Sequence, residues 1–592
     1  MKYASRFIYI SYTTLIAITL CVSKSTCAQP LHQKGKFTRQ DTLRGSITPE
    51  RAWWDVASYN IYVAPDYATK TIKGWNQISF DINTDGKNRK MQIDLQQPMV
   101  IDSIIFEKKR IRTFKRNGNV YLIDFGNYKF MAARTLLKKD KAIPLHSITI
   151  YFHGKPKEAT NPPWDGGWIF TKDAKGRPWM TVACQGLGAS VWYPCKDHQS
   201  DEPDNGALIQ VKVPDTLVAV ANGKLYSKDD QRDGTMLYTW QVKNPINNYN
   251  IVPYIGKYLH FSDNYIGETS AGSSIEKNLS LDYWVLDYNL EKAKKQFGRD
   301  VKPMLKAFEY WFGPYPFYED GYKLVESSHL GMEHQSATAY GNHYQNGYLG
   351  SDLSGTGWGL KWDYIIIHES GHEWFANNIT TKDIADMWVH EGFTMYSEAL
   401  FVEYHYGKDA ADEYVQGIRE NISNDKPLIG PYGVNQEGSS DMYNKGANML
   451  HTIRQVINDD TVFRKILRGL NKDFYHKTVD TKQIEDYFSK QSGKDLSKIF
   501  DQYLRTTKIP KLECKEEAGK LLYRWINCVP GFNMPVRLVN AGLWLYPSTS
   551  WNKMVLTPAM KEKSLAIDPN FYVELNMTDS FRDIPPSPAD GR

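Results

Sequence analysis

Cysteine and net charge are both scarce in this sequence, which has six cysteines in 592 residues and a formal net charge of only +5. So small a charge gives no case for nucleic acid as a partner. No G-x-S-x-G elbow is present, so a serine hydrolase is not supported. The glycine-rich stretch Gly355–Gly359 follows no predicted strand and therefore lacks the context of a nucleotide-binding fingerprint. What is present is the composition of a globular protein with real cores, with 41% hydrophobic and 13% aromatic residues.

The N-terminus has the pattern of a secretory signal peptide. Lys2 and Arg6 precede an apolar stretch that reaches Leu20, and small and polar residues lead to Ala28. This pattern predicts a signal peptide at 1–28 and an exported protein, either periplasmic or secreted. The alternative is an uncleaved anchor, in which case the protein would associate with a membrane. No later segment is long and apolar enough to cross one.

Export predicts an oxidising compartment, in which cysteines form disulfides. Removal of the signal peptide leaves four cysteines, which form two pairs that are close in sequence: Cys184 with Cys195, and Cys514 with Cys528. We expect disulfide bonds within these pairs, although four cysteines permit three pairings. Buried free thiols are the alternative.

Hydrophobic periodicity changes twice along the chain. Short runs rich in β-branched and aromatic residues extend to about Tyr258, helical spacing follows to about residue 507, and strand-like runs return after Pro510. The predicted domains are an N-terminal β-rich domain at 29–265, a mainly helical domain at 266–507, a small β-domain at 508–580 and a flexible tail at 581–592.

The stretch IIIHESGHEW at Ile365–Trp374 carries two histidines four residues apart. Residues at this spacing lie on one face of a helix, so His368 and His372 can direct two imidazoles at one point. This is how the H-E-x-x-H motif binds zinc, with Glu369 placed to act as a base towards water. The alternative is a pair of histidines satisfied inside a buried helix.

A catalytic zinc site needs a third protein ligand and an open fourth position. The next predicted helix, MWVHEGFTMYSEAL, offers Glu391 as that ligand. With it, the sequence predicts one zinc ion per chain. Glu398, further along the same helix, is a candidate partner for a zinc-binding histidine. A solvated glutamate is the alternative.

These segments resemble the gluzincin pattern of the M1 family of zinc metallopeptidases. HESGH and WVHEGF match its zinc-binding segments, Gly331-Met332-Glu333-His334 resembles its G-x-M-E-N motif, and MYNKG at Met442–Gly446 resembles its Y-x-K-G segment. ACQGLGASVWYPCKD at Ala183–Asp197 resembles the substrate-amine region of its first domain. The resemblance implies a multidomain α+β fold with an N-terminal β-saddle, a thermolysin-like and mainly helical catalytic domain, and a small C-terminal β-sandwich.

The resemblance also implies catalytic roles. His368, His372 and Glu391 would bind zinc, and Glu369 would take a proton from water and pass it to the leaving amine. Tyr443 would donate a hydrogen bond to the oxyanion of the transition state.

The remaining implied residues belong to the substrate site. Glu333 would anchor a free α-ammonium group, Gln185 would occupy the second amine-binding position, and Gly331, Met332 and His334 complete the exopeptidase motif. His334 and His390 stand where the family usually has asparagine. Either histidine could add pH dependence.

We therefore expect an exported zinc aminopeptidase that acts on peptides with a free N-terminus. Two alternatives remain open. One is a zinc hydrolase of another specificity, either an endopeptidase or a lipid-epoxide hydrolase. The other is a catalytically silent binding protein of the cell envelope.

Overall fold

The computed structural model describes residues 36–83, 90–128, 130, 146–267, 277–539, 542–556 and 565–577. The predicted signal peptide and the predicted tail lie outside these residues. Within them, every helix is too short or too polar to span a lipid bilayer.

The N-terminal region is built almost wholly from strands. Its elements are α1 (Arg39–Gly45), α2 (Pro49–Ala52), β1 (Trp54–Asp66), β2 (Thr71–Ile82), β3 (Lys90–Asp94), β4 (Val100–Phe106), β5 (Lys109–Ile111), β6 (Phe114–Asn117), β7 (Val120–Asp124), β8 (His146–Gly154), β9 (Gly167–Lys172), β10 (Pro178–Ala183), β11 (Ala207–Pro214), β12 (Val218–Val220), β13 (Lys224–Asp230), β14 (Thr235–Val242) and β15 (Tyr254–Gly256).

Three sheets make up this region, in the strand orders β13-β14-β11-β1-β2-β8-β4-β5, β12-β15-β10-β9 and β3-β7-β6. In β8 and β11 each buried residue is followed by a more exposed one, as expected of a sheet with one face on a core. The sheets share one hydrophobic core. Strand β10 ends at Ala183, two residues before Gln185, and so fixes where this predicted site residue lies.

The middle region combines a sheet with a set of helices. Its elements are β16 (Tyr258–Gly267), β17 (Lys277–Leu286), α3 (Leu290–Phe312), β18 (Tyr322–Glu326), β19 (Gly331–Met332), β20 (Thr338–Tyr340), α4 (Tyr364–Gly371), β21 (Ile379–Thr381), α5 (Trp388–Tyr406), α6 (Lys408–Arg419), α7 (Asn444–Ile457), α8 (Asp460–Asp473), β22 (Lys477–Val479), α9 (Thr481–Ser492) and α10 (Ser497–Arg505).

The sheet of this region has the order β16-β17-β18-β20-β19. Strand β16 runs across the predicted domain boundary at residue 265, because its full length pairs with β17. The short edge strand β19 carries Gly331 and Met332, and it pairs with β20 through Gly331 opposite Tyr340. The exopeptidase-like motif therefore lies at the edge of a sheet.

Helices α4 and α5 are buried along most of their surface. The side chain of Asp363 caps α4 by accepting hydrogen bonds from the backbone N–H groups of Ile365 and Ile366. Every residue of α4 is buried, which explains why the apolar run carries no polar face. The helix ends at Gly371, and His372 keeps right-handed helical dihedrals as its C-cap, so both histidines remain on one face.

The C-terminal region forms two small sheets. Its strands are β23 (Lys511–Glu517), β24 (Lys520–Ile526), β25 (Val536–Leu538), β26 (Leu543–Leu545), β27 (Asn552–Val555) and β28 (Glu574–Met577). They pair in the orders β27-β24-β23-β28 and β25-β26, and their apolar residues join the core of the helical region. The expected multidomain α+β fold is confirmed.

Neither predicted disulfide bond is present in the described part of the chain, where Cys184, Cys195, Cys514 and Cys528 are not disulfide-bonded. Lys511 of β23 pairs with Ile526 of β24, and Cys528 lies past that strand end. Cys528 therefore lies beyond the Lys511–Ile526 pair, whereas Cys514 lies three residues inside it. Three residues of strand are about 10 Å long, so at least this distance separates the two cysteines. A disulfide needs Cα atoms about 4.4–6.8 Å apart, so the hairpin register excludes this bond.

Cys184 and Cys195 are both buried in the core of the N-terminal region. The Cys184 thiol donates to the Tyr249 carbonyl at 3.5 Å. The backbone of Cys195 pairs with Asp94, the last residue of β3. Burial raises the pKa of both thiols, so the pair behaves as protonated core residues, which was the alternative expectation.

Candidate active site

Three side chains from α4 and α5 converge on one point. Nε2 of His372 lies 3.4 Å from Oε2 of Glu391, and Nε2 of His368 lies 3.7 Å from the same oxygen. One potential ligand atom from each residue lies within 4.8 Å of those of the other two. All three side chains are buried.

This donor set fits a tetrahedral zinc ion. Ligand bonds of about 2.0–2.1 Å at tetrahedral angles separate neighbouring ligand atoms by about 3.3 Å. Oε2 of Glu391 is buried and has no hydrogen-bond partner, which is costly for a carboxylate unless a cation is bound. Although burial opposes it, the adjacent His372 and His368 hold the pKa of Glu391 below its usual range. The anion is therefore kept ionised beside two imidazole nitrogens.

The far side of each histidine is held by a hydrogen bond. Nδ1 of His368 lies 2.6 Å from Oε1 of Glu398, and Nδ1 of His372 lies 3.0 Å from the carbonyl oxygen of Phe375. Both contacts place the proton on Nδ1 and leave the Nε2 lone pair for the shared point. Glu398 is fully buried, so it supports a histidine and is not a solvated glutamate.

Glu369 lies on the same helix and faces the pocket. Burial raises the pKa of Glu369 to about 7, and the nearby carboxylates Glu333 and Glu391 add to this rise. A carboxyl group with a pKa near neutrality can both accept and return a proton. The space for it is provided by Gly331, where an added Cβ would lie 2.6 Å from Oε1 of Glu369.

Tyr443 stands at the start of α7, with its ring stacked beside that of His368 at 6.0 Å between centroids. A close contact between Gly392 of α5 and Gly446 of α7 brings this helix end to the metal site, since an added Cβ on Gly446 would lie 2.9 Å from the Gly392 Cα. Burial and the negative charge of Glu391 raise the pKa of Tyr443 well above its ordinary value. Its phenol therefore stays protonated and able to donate.

The two residues predicted to recognise an amine are in contact. Nε2 of Gln185 donates to Oε1 of Glu333 at 2.5 Å, across the junction of the N-terminal and helical regions. Tyr249, which the sequence did not reveal as a site residue, donates its hydroxyl to the same oxygen at 2.9 Å. Burial raises the pKa of Glu333, while His372 and the Tyr249 hydrogen bond act in the opposite direction.

One pocket is lined by Gln185 and Glu333 together with His368, His372 and Glu391. Its walls include Met332, the predicted motif residue, together with many residues that sequence reasoning did not select. These are Pro163, Trp164, Leu330, Tyr348, Tyr364, Ile365, Ile384, Met387, Glu437 and Met442. Ile365, Met387 and Met442 lie within the quoted motif segments, whereas residues such as Pro163 and Trp164 come from distant parts of the chain where no local signal marks them.

The two histidines at asparagine positions are buried and neutral. Nδ1 of His334 contacts the Tyr254 hydroxyl, which itself donates to the Ala337 carbonyl. Nε2 of His390 accepts from the backbone N–H of Thr381 at 2.9 Å. Burial lowers the pKa of His334 well below its ordinary value and that of His390 to about 3. Both shifts oppose protonation of these histidines at neutral pH.

The HExxH helix, with its two histidines facing a glutamate of the next helix, agrees with the gluzincin pattern that the sequence resembles. Residues 299–503 match the family model described as the peptidase family M1 domain. The resemblance seen in the sequence is confirmed. The match covers the HESGH, WVHEGF, GMEH and MYNKG segments but ends short of the N-terminal region that holds Gln185.

Several aminopeptidases are similar to the chain. Aminopeptidase B of Mus musculus is 23% identical over 365 residues, which cover 57% of this chain and 51% of that protein. Probable aminopeptidase 2 of Sulfurisphaera tokodaii is 21% identical over 491 residues, which cover 79% of this chain and 55% of that protein. The chain thus spans about half the length of the curated relatives it matches.

Solved structures share the fold. A mutant M1 zinc metallopeptidase from Deinococcus radiodurans bound to a Tyr-Ser-Ala substrate has a TM-score of 0.62 at 17% identity. The alignment covers 79% of this chain and 98% of that one. An M1 zinc metallopeptidase structure from the same organism has a TM-score of 0.60 at 18% identity, covering 77% and 95%.

Proposed function

We propose that the protein is a zinc aminopeptidase that removes N-terminal residues from peptides with a free α-amine. The observation that carries this proposal is the position of Glu333 relative to the metal donors. Potential ligand atoms of Glu333, Glu369 and His372 all lie within 4.8 Å of one another. The amine nitrogen and carbonyl carbon of one residue are about 2.5 Å apart, so one residue can reach from the anion to the metal site.

An anion at this position separates exopeptidase from endopeptidase action. A free N-terminus brings a positive charge to Glu333, whereas an internal peptide segment would place a neutral amide against a buried carboxylate. Leaving that charge unpaired is costly in a buried site. Peptides with a free amine should therefore bind with the first peptide bond at the metal donors.

The residues that hold zinc would be His368, His372 and Glu391. A zinc ion in such a site supplies Lewis-acid polarisation of a carbonyl and lowers the pKa of water towards about 7. Glu369 takes a proton from the attacking water and carries it to the nitrogen of the leaving peptide. Proton transfer of this kind typically contributes about a hundredfold to ten-thousandfold in rate.

Tyr443 and the pocket complete the chemistry. The protonated phenol donates to the carbonyl oxygen as negative charge develops there, and loss of one such donor typically costs about 3–4 kcal/mol. Met332 and apolar residues of the pocket wall line the space beside these groups. Relatives called aminopeptidases support the same assignment.

A panel of fluorogenic aminoacyl amides, assayed with and without a zinc chelator, tests the proposal. We expect chelator-sensitive release from substrates with a free amine and little from their Nα-acetyl forms. Glu333→Ala should lower the turnover of free-amine substrates far more than it lowers zinc content. Cleavage of acetylated peptides at an undiminished rate would instead favour an endopeptidase. Binding of an envelope partner without turnover would favour a silent protein.

We also propose that the protein is exported, to the periplasm or out of the cell. The support is the charged, apolar and small-residue sequence pattern of residues 1–28. N-terminal sequencing of the protein recovered from its native cell tests this. We expect a mature chain beginning near Gln29, and an intact Met1 terminus in the cytosol would contradict it.

A further inference from the structure

We propose that Tyr249 is a positioning residue of the amine site. Its hydroxyl, together with the Gln185 amide, fixes one oxygen of Glu333, so that the other oxygen receives the α-ammonium group. This inference rests on the proposed aminopeptidase function and assigns a role to a residue outside every segment that carried the family resemblance.

Two donors meet at a single carboxylate oxygen. The Tyr249 hydroxyl lies 2.9 Å and the Gln185 amide nitrogen 2.5 Å from Oε1 of Glu333. A carboxylate has about four lone-pair sites, two on each oxygen, so these donors fill the capacity of Oε1. Neither donor contacts Oε2, the oxygen that we assign to the substrate, and the two contacts on Oε1 restrict rotation of the carboxylate about its terminal bond.

Tyr249 itself is held firmly. It is the central residue of a short 3-10 helix, Asn248–Asn250, and only 4% of its surface is exposed. The Asn248 side chain donates to the carbonyl of Lys196 at 2.7 Å, and the Asn250 side chain donates to Asn377 at 2.7 Å. The phenol therefore reaches Glu333 from a rigid base.

The same 3-10 helix is tied to the backbone of Glu333. Asn377, which accepts from Asn250, donates its own amide to the Glu333 carbonyl at 2.9 Å. Tyr249 and Gln185 belong to the N-terminal region, whereas Glu333 belongs to the helical region. The proposed amine site thus lies at the junction of the two regions, and Tyr249 supplies one of the hydrogen bonds across it.

The neutral side chain at position 185 makes this positioning more important. Gln185 brings no charge, so between these two residues Glu333 alone supplies the attraction for an ammonium group. A hydrogen bond between an ammonium and a carboxylate depends on orientation. Losing the donor that orients the carboxylate should therefore weaken amine recognition selectively, by about tenfold to a hundredfold, the usual range for a hydrogen bond to a charged group.

Tyr249→Phe removes only the hydroxyl and tests the inference. The probes are leucine hydroxamic acid and its analogue without the α-amine, 4-methylpentanehydroxamic acid, measured by calorimetry on the zinc-loaded protein. We expect Tyr249→Phe to weaken the amine-bearing probe about tenfold to a hundredfold and to leave the analogue unchanged. KM for leucyl amides should rise more than kcat falls.

Tyr193→Phe is the matched control. This buried tyrosine donates to the Asn248 carbonyl at 3.0 Å, so the variant removes a hydroxyl that supports the same 3-10 helix without touching Glu333. The ratio of the two probe affinities should stay at its wild-type value. If both variants lose affinity for the amine-bearing probe alone, and by the same factor, Tyr249 acts only by supporting the 3-10 helix. The inference would then be wrong.

Failure of this inference can be told from failure of the proposed function. A wild-type protein without aminopeptidase turnover and without preference for the amine-bearing probe contradicts the function. An active wild type with an unchanged probe ratio in Tyr249→Phe contradicts only the role of Tyr249. If Tyr249→Phe does not fold, Gln185→Leu removes the other donor on Oε1, and an unchanged ratio there overturns the positioning model.

Discussion

Oε1 of Glu398 lies 2.6 Å from Nδ1 of His368, with both side chains buried between α4 and α5. The other oxygen of Glu398 accepts from the Tyr414 hydroxyl at 2.5 Å, so both oxygens of the carboxylate have partners. The histidine is thereby fixed in one tautomer, and its Nε2 lone pair is directed at the point that it shares with Glu391. This contact links the apolar packing of two helices to the strength of the metal site.

Glu398→Gln should weaken zinc binding by about tenfold to a hundredfold, the usual cost of losing such a supporting carboxylate. The amide is nearly isosteric but carries no charge to stabilise the Nδ1 proton. Zinc affinity measured by competition with a fluorescent chelator checks this.

Glu403→Gln is a suitable control, since Glu403 lies on the same helix but pairs with Arg454 at 2.5 and 2.8 Å. It should change stability without changing zinc affinity. Equal zinc affinity of the wild type and Glu398→Gln would show that the contact does not support the metal.

Gly331→Ala should abolish most activity while leaving zinc in place. The new Cβ would lie 2.6 Å from Oε1 of Glu369 and 3.0 Å from Ile365, so the base must move off its position. A loss of at least about a hundredfold in kcat/KM is expected, the lower end of the contribution of a general base.

Gly298→Ala is the matched control, because its added Cβ would meet no atom within 4 Å. Zinc content, melting temperature and kcat/KM should all remain close to wild type in this variant. Full activity of Gly331→Ala would place the proton-transfer role on a group other than Glu369.

The convergence of His368, His372 and Glu391 could be predicted from sequence because it depends on local geometry. To predict that His368 and His372 lie together requires only the helical repeat. To predict that Glu391 joins them requires only that the next helix packs beside the first. Tyr443 and Glu333 entered through family resemblance, since a single tyrosine among 38 carries no spacing of its own. The structure supplies the reason for Tyr443, which is the glycine contact that brings α7 against α5.

The role of Tyr249 was missed, and the predicted disulfide between Cys514 and Cys528 was wrong, for a different reason. Tyr249 is 84 residues from Glu333 in sequence and meets it only after two regions pack together. The thiols Cys514 and Cys528 are close in sequence, but the hairpin register, which pairs Cys514 with Tyr523, separates them. Sequence proximity alone does not give strand register.

Acid should destabilise the protein through His198, a buried histidine whose Nε2 contacts the Gly45 carbonyl. Burial, with nearby Arg51 and Arg44, lowers the pKa of His198 to about 3. The unfolded chain binds a proton at about pH 6.5, whereas the folded protein does not until about pH 3. The contribution of His198 to the free energy of unfolding is therefore fully present above pH 6.5 and is lost as the pH falls towards 3.

His198→Gln removes this proton uptake. Between pH 6 and 4 the free energy of unfolding should fall less steeply with acid than in the wild type, by about 1.4 kcal/mol per pH unit. Urea denaturation followed by tryptophan fluorescence at several pH values checks it. Identical slopes in the two proteins would show that His198 titrates normally when folded.

Zinc held by His368, His372 and Glu391 is the central claim, and X-ray absorption at the zinc edge of the reconstituted protein measures it. It should show one zinc per chain with two imidazole ligands and oxygen donors at about 2.0–2.2 Å. The imidazole signal should weaken or disappear in His372→Ala. In Glu391→Ala the zinc content should fall below one ion per chain. A protein that retains no zinc after reconstitution, or a spectrum unchanged in both variants, would contradict the account.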